Sequence, residues 1–265
     1  MFNIFTGTRF HGTRRKPSVL LLILRGVTQG TPRAQLAREL KCSRTSLLPL
    51  RHQIQNWAEQ ALPQNALTDP VTEADEMFQN AGEKGLPHRD PDDPPRRRAN
   101  KRRGYGTWDN DRPPVAGAVG RDSGRVRMQV VKRTDSRTLQ AFVTGATTAT
   151  ATVNTDEWKA YGELAKTGRT QATICHSPSN REWARDDDGD GTREVRANTM
   201  EGTWTGLRNV LRSFRGVSKW FLSQYVALFQ WEHNLKVVTD DVLRILPGTH
   251  PTADQPKSAD IRYKT

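Results

Sequence analysis

The chain has 265 residues, with 41 Lys and Arg against 29 Asp and Glu, for a formal net charge of +12. That length can bury a sizeable core beside a smaller unit, and that charge points to a polyanionic partner, nucleic acid before any other. The longest apolar run, Val19 to Leu24, is far short of the roughly 20 residues of a membrane span, and the basic Arg14-Arg15-Lys16 cluster is followed by no cleavage site. Two cysteines, Cys42 and Cys175, build neither a disulfide framework nor a four-ligand zinc site, so a reduced cytoplasm is the expected compartment, with no membrane and no zinc.

In chain order, residues 1–17 read as a polar arm, and Ser18 to Val27 has the apolar pattern of a short helix. Thr31-Pro32 then opens a helix through Leu40, and Ser43 is a second N-cap for Ser43 to Gln55, with Leu47, Leu50 and Ile54 inward. Two short helices joined by a tight polar turn have the form of a helix-turn-helix, which would offer Arg44, Thr45 and Arg51 to a DNA groove. Any small helical bundle shares that form. Pro49 inside the second helix predicts a kink or an early end, and Ala58 to Pro70 reads as a linker.

Val71 to Phe78 is a plausible strand that carries acids where a buried strand is normally apolar. Asn80 to Asp111 is too rich in Pro, Gly and charge to fold alone, so it reads as a long loop. Its basic run, with Arg96, Arg97, Arg98, Lys101, Arg102 and Arg103, suits either solvent or phosphate contact. Val115 to Arg121 and Arg125 to Val131 flank Asp122-Ser123-Gly124 as a hairpin. Ser136 to Thr147 is a helix, Ala151 to Thr155 a short strand ending at Asp156, and Asp156 to Lys166 a helix with Trp158, Tyr161 and Leu164. Gln171 to His176 is another strand. After an excursion, Asn198 to Phe214 carries Met200, Trp204, Leu207 and Leu211 on one helical stripe, and Val217 to Lys236 is a strongly apolar helix.

This order of elements predicts an α/β fold: a ribonuclease-H-like mixed sheet with flanking helices, preceded by a small helical domain resembling a helix-turn-helix. The expected division is 1–66 for the arm and helical region, 67–248 for the core with its basic loop at 80–112, and 249–265 for a polar tail. In such a core Asp75 lies on the first strand, Asp156 at the end of the fourth, and Glu201 on the helix after the fifth. The spacings are long, 156 − 75 = 81 and 201 − 156 = 45 residues. Three such carboxylates can hold two hard divalent cations about 3.5–4 Å apart for phosphodiester chemistry. Arg208, two turns beyond Glu201, would grip a phosphate, or the two would form an exposed ion pair.

Thr72-Glu73-Ala74-Asp75-Glu76-Met77-Phe78, Asn154-Thr155-Asp156-Glu157-Trp158, His176-Ser177, Asn198-Thr199-Met200-Glu201-Gly202-Thr203-Trp204, Arg208 and Phe214-Arg215-Gly216 together resemble the motifs of DDE transposases of bacterial insertion sequences, in the ISXO-type group. The resemblance implies a DNA transposase that cuts and joins strands at a site of Asp75, Asp156 and Glu201, with Arg208 as the basic partner. It also implies two Mg²⁺ or Mn²⁺ ions, double-stranded DNA as substrate, a homo-oligomeric working complex and a nucleoid-associated place in a bacterial cytoplasm.

Three departures stand out. Arg208 replaces the usual Lys, Asn198 could share the role of Glu201, and the cysteine-rich zinc ribbon with which full-length members tend to begin is missing from this sequence. Two other readings stay open: an inert helix-turn-helix DNA binder and a ribonuclease-H-like nuclease without strand joining. Asp186 to Glu194 resembles part of a calcium loop or a solvated acidic turn, and His176 could reach the site or pack.

Overall fold

A computed structural model describes residues 5–83, 105–175 and 182–235. Three helices lead: α1 (Pro17–Thr28), α2 (Arg33–Glu39) and α3 (Arg44–Ala61). Pro49 neither kinks α3 to a stop nor ends it. The helix runs six residues past Gln55, because Leu47, Ile54 and Ala58 bury on one stripe and offset the hydrogen bond that Pro49 cannot donate. That stripe shares a core with Leu20, Ile23, Leu24 and Leu36, and with Leu228 and Trp231 of the last helix.

The sheet has five strands: β1 (Val71–Phe78), β2 (Pro114–Gly120), β3 (Val126–Val130), β4 (Thr152–Asp156) and β5 (Thr170–Ile174), in the order β3-β2-β1-β4-β5. β1, β2 and β3 run antiparallel, while β1, β4 and β5 run parallel, as expected of a ribonuclease-H-like core. The β2–β3 turn is tied down by Asp69, whose carboxylate accepts from the backbone N–H groups of Asp122 and Ser123 and from the Ser123 hydroxyl. Helices cover both faces. α4 (Ser136–Ala146), capped by Asp135, packs Leu139 and Val143 with Ala74, Ala118 and Val153. α5 (Asn198–Ser213) and α6 (Lys219–Asn234) cover the other face through Met200, Trp204, Leu207, Leu222 and Val226. Burying side chains of that size stabilises by about 1.5–3 kcal/mol each.

The helix expected over Asp156 to Lys166 is absent. Two 3₁₀ turns, Lys159–Tyr161 and Leu164–Thr167, stand there instead. Trp158, Tyr161 and Leu164 recur every three residues, which is the period of a 3₁₀ turn as much as of a helix stripe, and Gly162 and Gly168 end the two turns.

Gly117 of β2 pairs with Asp75 of β1, and a Cβ there would lie 2.5 Å from both Met200 Cε and Trp204 Cη2. The missing side chain lets α5 settle onto the sheet. Gly117→Ala should therefore cost about 1–3 kcal/mol of stability, read as a lowered midpoint in thermal or urea unfolding.

Candidate active site

Alternation along β1 sends Glu73, Asp75 and Met77 toward α5 and sends Thr72, Ala74 and Glu76 toward α4. Glu73 is fully buried, and its carboxylate accepts from Arg121 Nε at 3.0 Å, the Thr199 hydroxyl at 2.9 Å and the Met200 backbone N–H at 2.9 Å. The residue before α5 is Ala197, whose side chain has no capping atom, so a strand residue caps the helix in its place. Arg121 also donates to the Glu194 carbonyl, and Asn154 Nδ2 donates to the carbonyls of Glu194 and Arg196. The approach to α5 is thus fastened to β1, the β2–β3 turn and β4.

Two residues along β1, Asp75 accepts from Trp204 Nε1 at 2.8 Å through Oδ2. The β1–β4 ladder pairs Val71 with Thr152, Thr72 with Val153 and Glu73 with Asn154, a constant offset of 81; Asp75 and Asp156 each lie two residues past its last pair, and the charge of Asp156 is felt at Asp75. Asn154 reaches the segment that leads into α5, so Asp156, two residues on, shares its face. Asp156 Oδ1 accepts from the Trp158 N–H at 3.0 Å. Glu201 is exposed in the first turn of α5, one turn before Trp204.

Burial, above all, pushes the Asp75 carboxyl up to about 6; the Trp204 hydrogen bond opposes the rise, and the charges of Asp156 and Glu201 add to it. Across the strand, burial raises Glu76 to about 7 against a 2.7 Å hydrogen bond from the Tyr161 hydroxyl, with the charges of Asp75 and Asp156 adding to it. Two carboxyls raised in a half-buried setting, each beside further acids, form a site prepared for positive charge.

Asp75 and Asp156 are on adjacent strands β1 and β4, and the charges of Asp156 and of Glu201 on α5 both reach Asp75. Arg208 is exposed on α5, about 10 Å along the axis from Glu201 by helical rise, and no salt bridge joins the two. Asn198 is exposed at the first position of α5, one turn before Glu201. Arg44 and Thr45 are exposed at the start of α3, but Arg51 is not offered to a groove. It is 4% exposed, donates to the Thr31 carbonyl and lies 4.8 Å from the Phe214 ring centroid, because it follows Leu47 by four residues and so falls on the buried stripe of α3. Arg96, Arg97, Arg98, Lys101, Arg102 and Arg103 lie outside the described residues, as do His176 and residues 249–265. Glu73 was assigned no role from the sequence, although its period-two spacing from Asp75 placed both on one face of the strand.

Among the described residues, the set of three acids whose ligand oxygens all lie within 4.8 Å of one another is Asp186, Asp188 and Glu194. Those carboxylates already accept from their own loop: Asp186 from the N–H groups of Gly189 and Gly191, and Glu194 from that of Asp187. Asp75, Asp156 and Glu201 are set wider. Carboxylates set that far apart do not all reach one ion. Hard oxygen donors without sulfur or imidazole suit Mg²⁺ or Mn²⁺.

Residues 71–234 match the family model described as the ISXO2-like transposase domain. A protein of transposable element ISH50 from Halobacterium salinarum is 31% identical over 169 residues, which cover 63% of this chain and 53% of that one. The chain thus spans about half the length of that curated relative. Among solved structures, the catalytic core domain of BIV integrase aligns with 64% of this chain and 87% of its own, at 12% identity and TM-score 0.36. Mos1 transposase, in a paired-end complex with the left transposon end, aligns with 85% of this chain and 77% of its own, at 10% identity and TM-score 0.33. No helix among the described residues is long and apolar enough to cross a membrane.

The raised carboxyls set a pH dependence with a definite sign. Asp75 and Glu76 hold protons more tightly when folded than their ordinary 3.8 and 4.5 allow, so stability falls as pH rises from about 4 through about 6 and 7. Asp75→Asn should flatten part of that fall and exceed the parent in stability at pH 8 by on the order of 1–3 kcal/mol, read by urea unfolding at pH 4, 6 and 8.

Proposed function

The chain belongs to the ISXO2-like transposase domain family, and from that premise we propose that it cuts DNA at the ends of an insertion sequence and joins the freed strand to target DNA. The observation that carries this reading is the meeting of three acids: Asp75 and Asp156 on adjacent strands, each two residues past the last β1–β4 pair, with Glu201 on a helix fastened to β1. Asp75, Asp156 and Glu201 would hold a pair of Mg²⁺ or Mn²⁺ ions. Bound there, such ions supply Lewis-acid stabilisation of the attacking and leaving oxygens.

The protein's own part is positional. Trp204 Nε1–H holds Oδ2 of Asp75, while the Trp158 N–H holds Oδ1 of Asp156. Arg208, exposed on α5, offers a planar pair of donors to the phosphate under attack, and Glu201 lies on the same helix, so both approach the phosphodiester from one side. In cleavage, water forms the new bond to phosphorus and the 3′ oxygen leaves. In joining, that 3′-hydroxyl forms the bond and a target-strand oxygen leaves. Both are in-line displacements at phosphorus, so one site serves both. Bringing two DNA ends together calls for at least two copies of the chain.

Asp75→Asn, Asp156→Asn and Glu201→Gln should each lower Mg²⁺- or Mn²⁺-dependent nicking of supercoiled DNA by at least about a hundredfold with DNA binding retained, and nicking at the parental rate would remove that residue from the site. Arg208→Ala should slow it by roughly ten- to a hundredfold, and an unchanged rate would show that the guanidinium touches no reacting phosphate.

A further inference from the structure

Away from the acidic edge, α2 and the start of α3 face the turn between α5 and α6 across a cleft of about 770 Å³. Five guanidinium groups line it, from Arg33, Arg38, Arg44, Arg51 and Arg215, and no Asp or Glu does. None of the five forms a salt bridge among the described residues; Arg51 is met by the Thr31 carbonyl and the Phe214 ring, and no acid faces the other four across the cleft. His52 feels the crowding: burial lowers its affinity for a proton and the charges of Arg51 and Arg33 lower it further, against the hydrogen bond that its Nδ1–H donates to Gln224 Oε1.

Two further observations point to an occupant. Ser218, the N-cap of the 16-residue α6, lines the cleft and is 7% exposed, yet its hydroxyl has no hydrogen-bond partner. A buried hydroxyl without a partner costs about 1–3 kcal/mol, and at a helix start it stands where the helix field favours negative charge. Arg215 adopts φ 53°, a left-handed conformation that glycine takes more cheaply, and Gly216 follows it at φ 108°. That turn carries the chain from α5 into α6 and places a cation at the rim where a glycine would serve the backbone better.

We propose that this cleft is a second DNA contact, which takes a backbone phosphate against Ser218 and the start of α6, with the rim arginines on neighbouring phosphates. The choice of DNA over a small free phosphate rests on the strand-transfer reading above. Ser213, at the cleft, is 213 − 201 = 12 residues beyond Glu201 on α5, or about 18 Å by helical rise. That spans about five base pairs of duplex, so the contact would hold DNA clear of the acids.

The test uses the whole chain in EDTA-containing buffer, with fluorescence anisotropy of a labelled 30-bp duplex over a salt series and inorganic pyrophosphate as competitor. Arg38→Ala combined with Arg215→Gly should weaken duplex binding at least about tenfold and reduce the slope of log affinity against log salt by about two contacts' worth, roughly 1.8. Arg215→Gly relieves the left-handed strain, so its thermal midpoint should hold or rise, which separates lost contact from lost fold. Ser218→Ala should weaken binding a few-fold. The charge-matched control, Arg125→Ala with Lys166→Ala, both exposed and outside the cleft, should change affinity less than threefold.

Equal binding by the Arg38/Arg215 double variant and the parent overturns the cleft proposal alone, and so does a control that loses as much as the double variant. Pyrophosphate bound by the parent, lost in the double variant and not competing with duplex assigns the cleft to a free phosphate and overturns the DNA occupant. A parent chain that binds no duplex overturns this proposal and the strand-transfer reading together.

Discussion

The contact on which the architecture turns is a buried carboxylate from a strand holding the start of a helix. Glu73 receives an arginine, a threonine hydroxyl and a backbone N–H of α5, so a fully buried charge is compensated on three sides. Taking a carboxylate out of water is costly, and that cost is recovered only while every partner stays in place. The arrangement is therefore all or nothing. β1, the β2–β3 turn and α5 are held in one register, and Glu201, one residue beyond the held N–H, inherits its position from it.

Seen this way, β1 divides its acids by purpose. Glu73 is satisfied and structural, whereas Asp75 accepts from the Trp204 indole and the Glu76 backbone N–H beside neighbours of like charge. Glu76, on the opposite face, leans on Tyr161 and is also raised. A strand that carries three acids in four residues spends folding stability, and the unsatisfied part of that spending falls at the edge where the three proposed ligands meet. Stability given up where charge is concentrated is the usual signature of a functional site rather than of a scaffold.

Much of this was legible in the residues. The strand and hairpin pattern, and the order of elements that places the acids, carry the sheet topology, and the offset of 81 between Asp75 and Asp156 is the same number as the register of the β1–β4 ladder. Local patterns failed where two periods coincide or where burial outweighs propensity. The three-residue recurrence of Trp158, Tyr161 and Leu164 served a 3₁₀ turn, and Pro49 was carried through by the apolar stripe of α3. Long-range partners could not be read at all. Nothing near Glu73 in sequence shows that it caps a helix 126 residues away, and nothing in α3 shows that Arg51 turns inward onto Phe214.

Lys219 at the start of α6 has a less obvious consequence. Its ammonium, buried with both partners, lies 3.5 Å from Glu83 and 3.1 Å from Asp111, while its own N–H donates to the Gly82 carbonyl. A single cation thus pins both ends of the stretch that leaves β1 and returns to β2. Once its mouth is closed in this way, the free energy of an intervening segment grows only as the logarithm of its length. The molecule can therefore accept a longer, shorter or differently charged insert at this position with little effect on the sheet. Evolution can alter what this part of the protein touches while leaving the acidic edge in place.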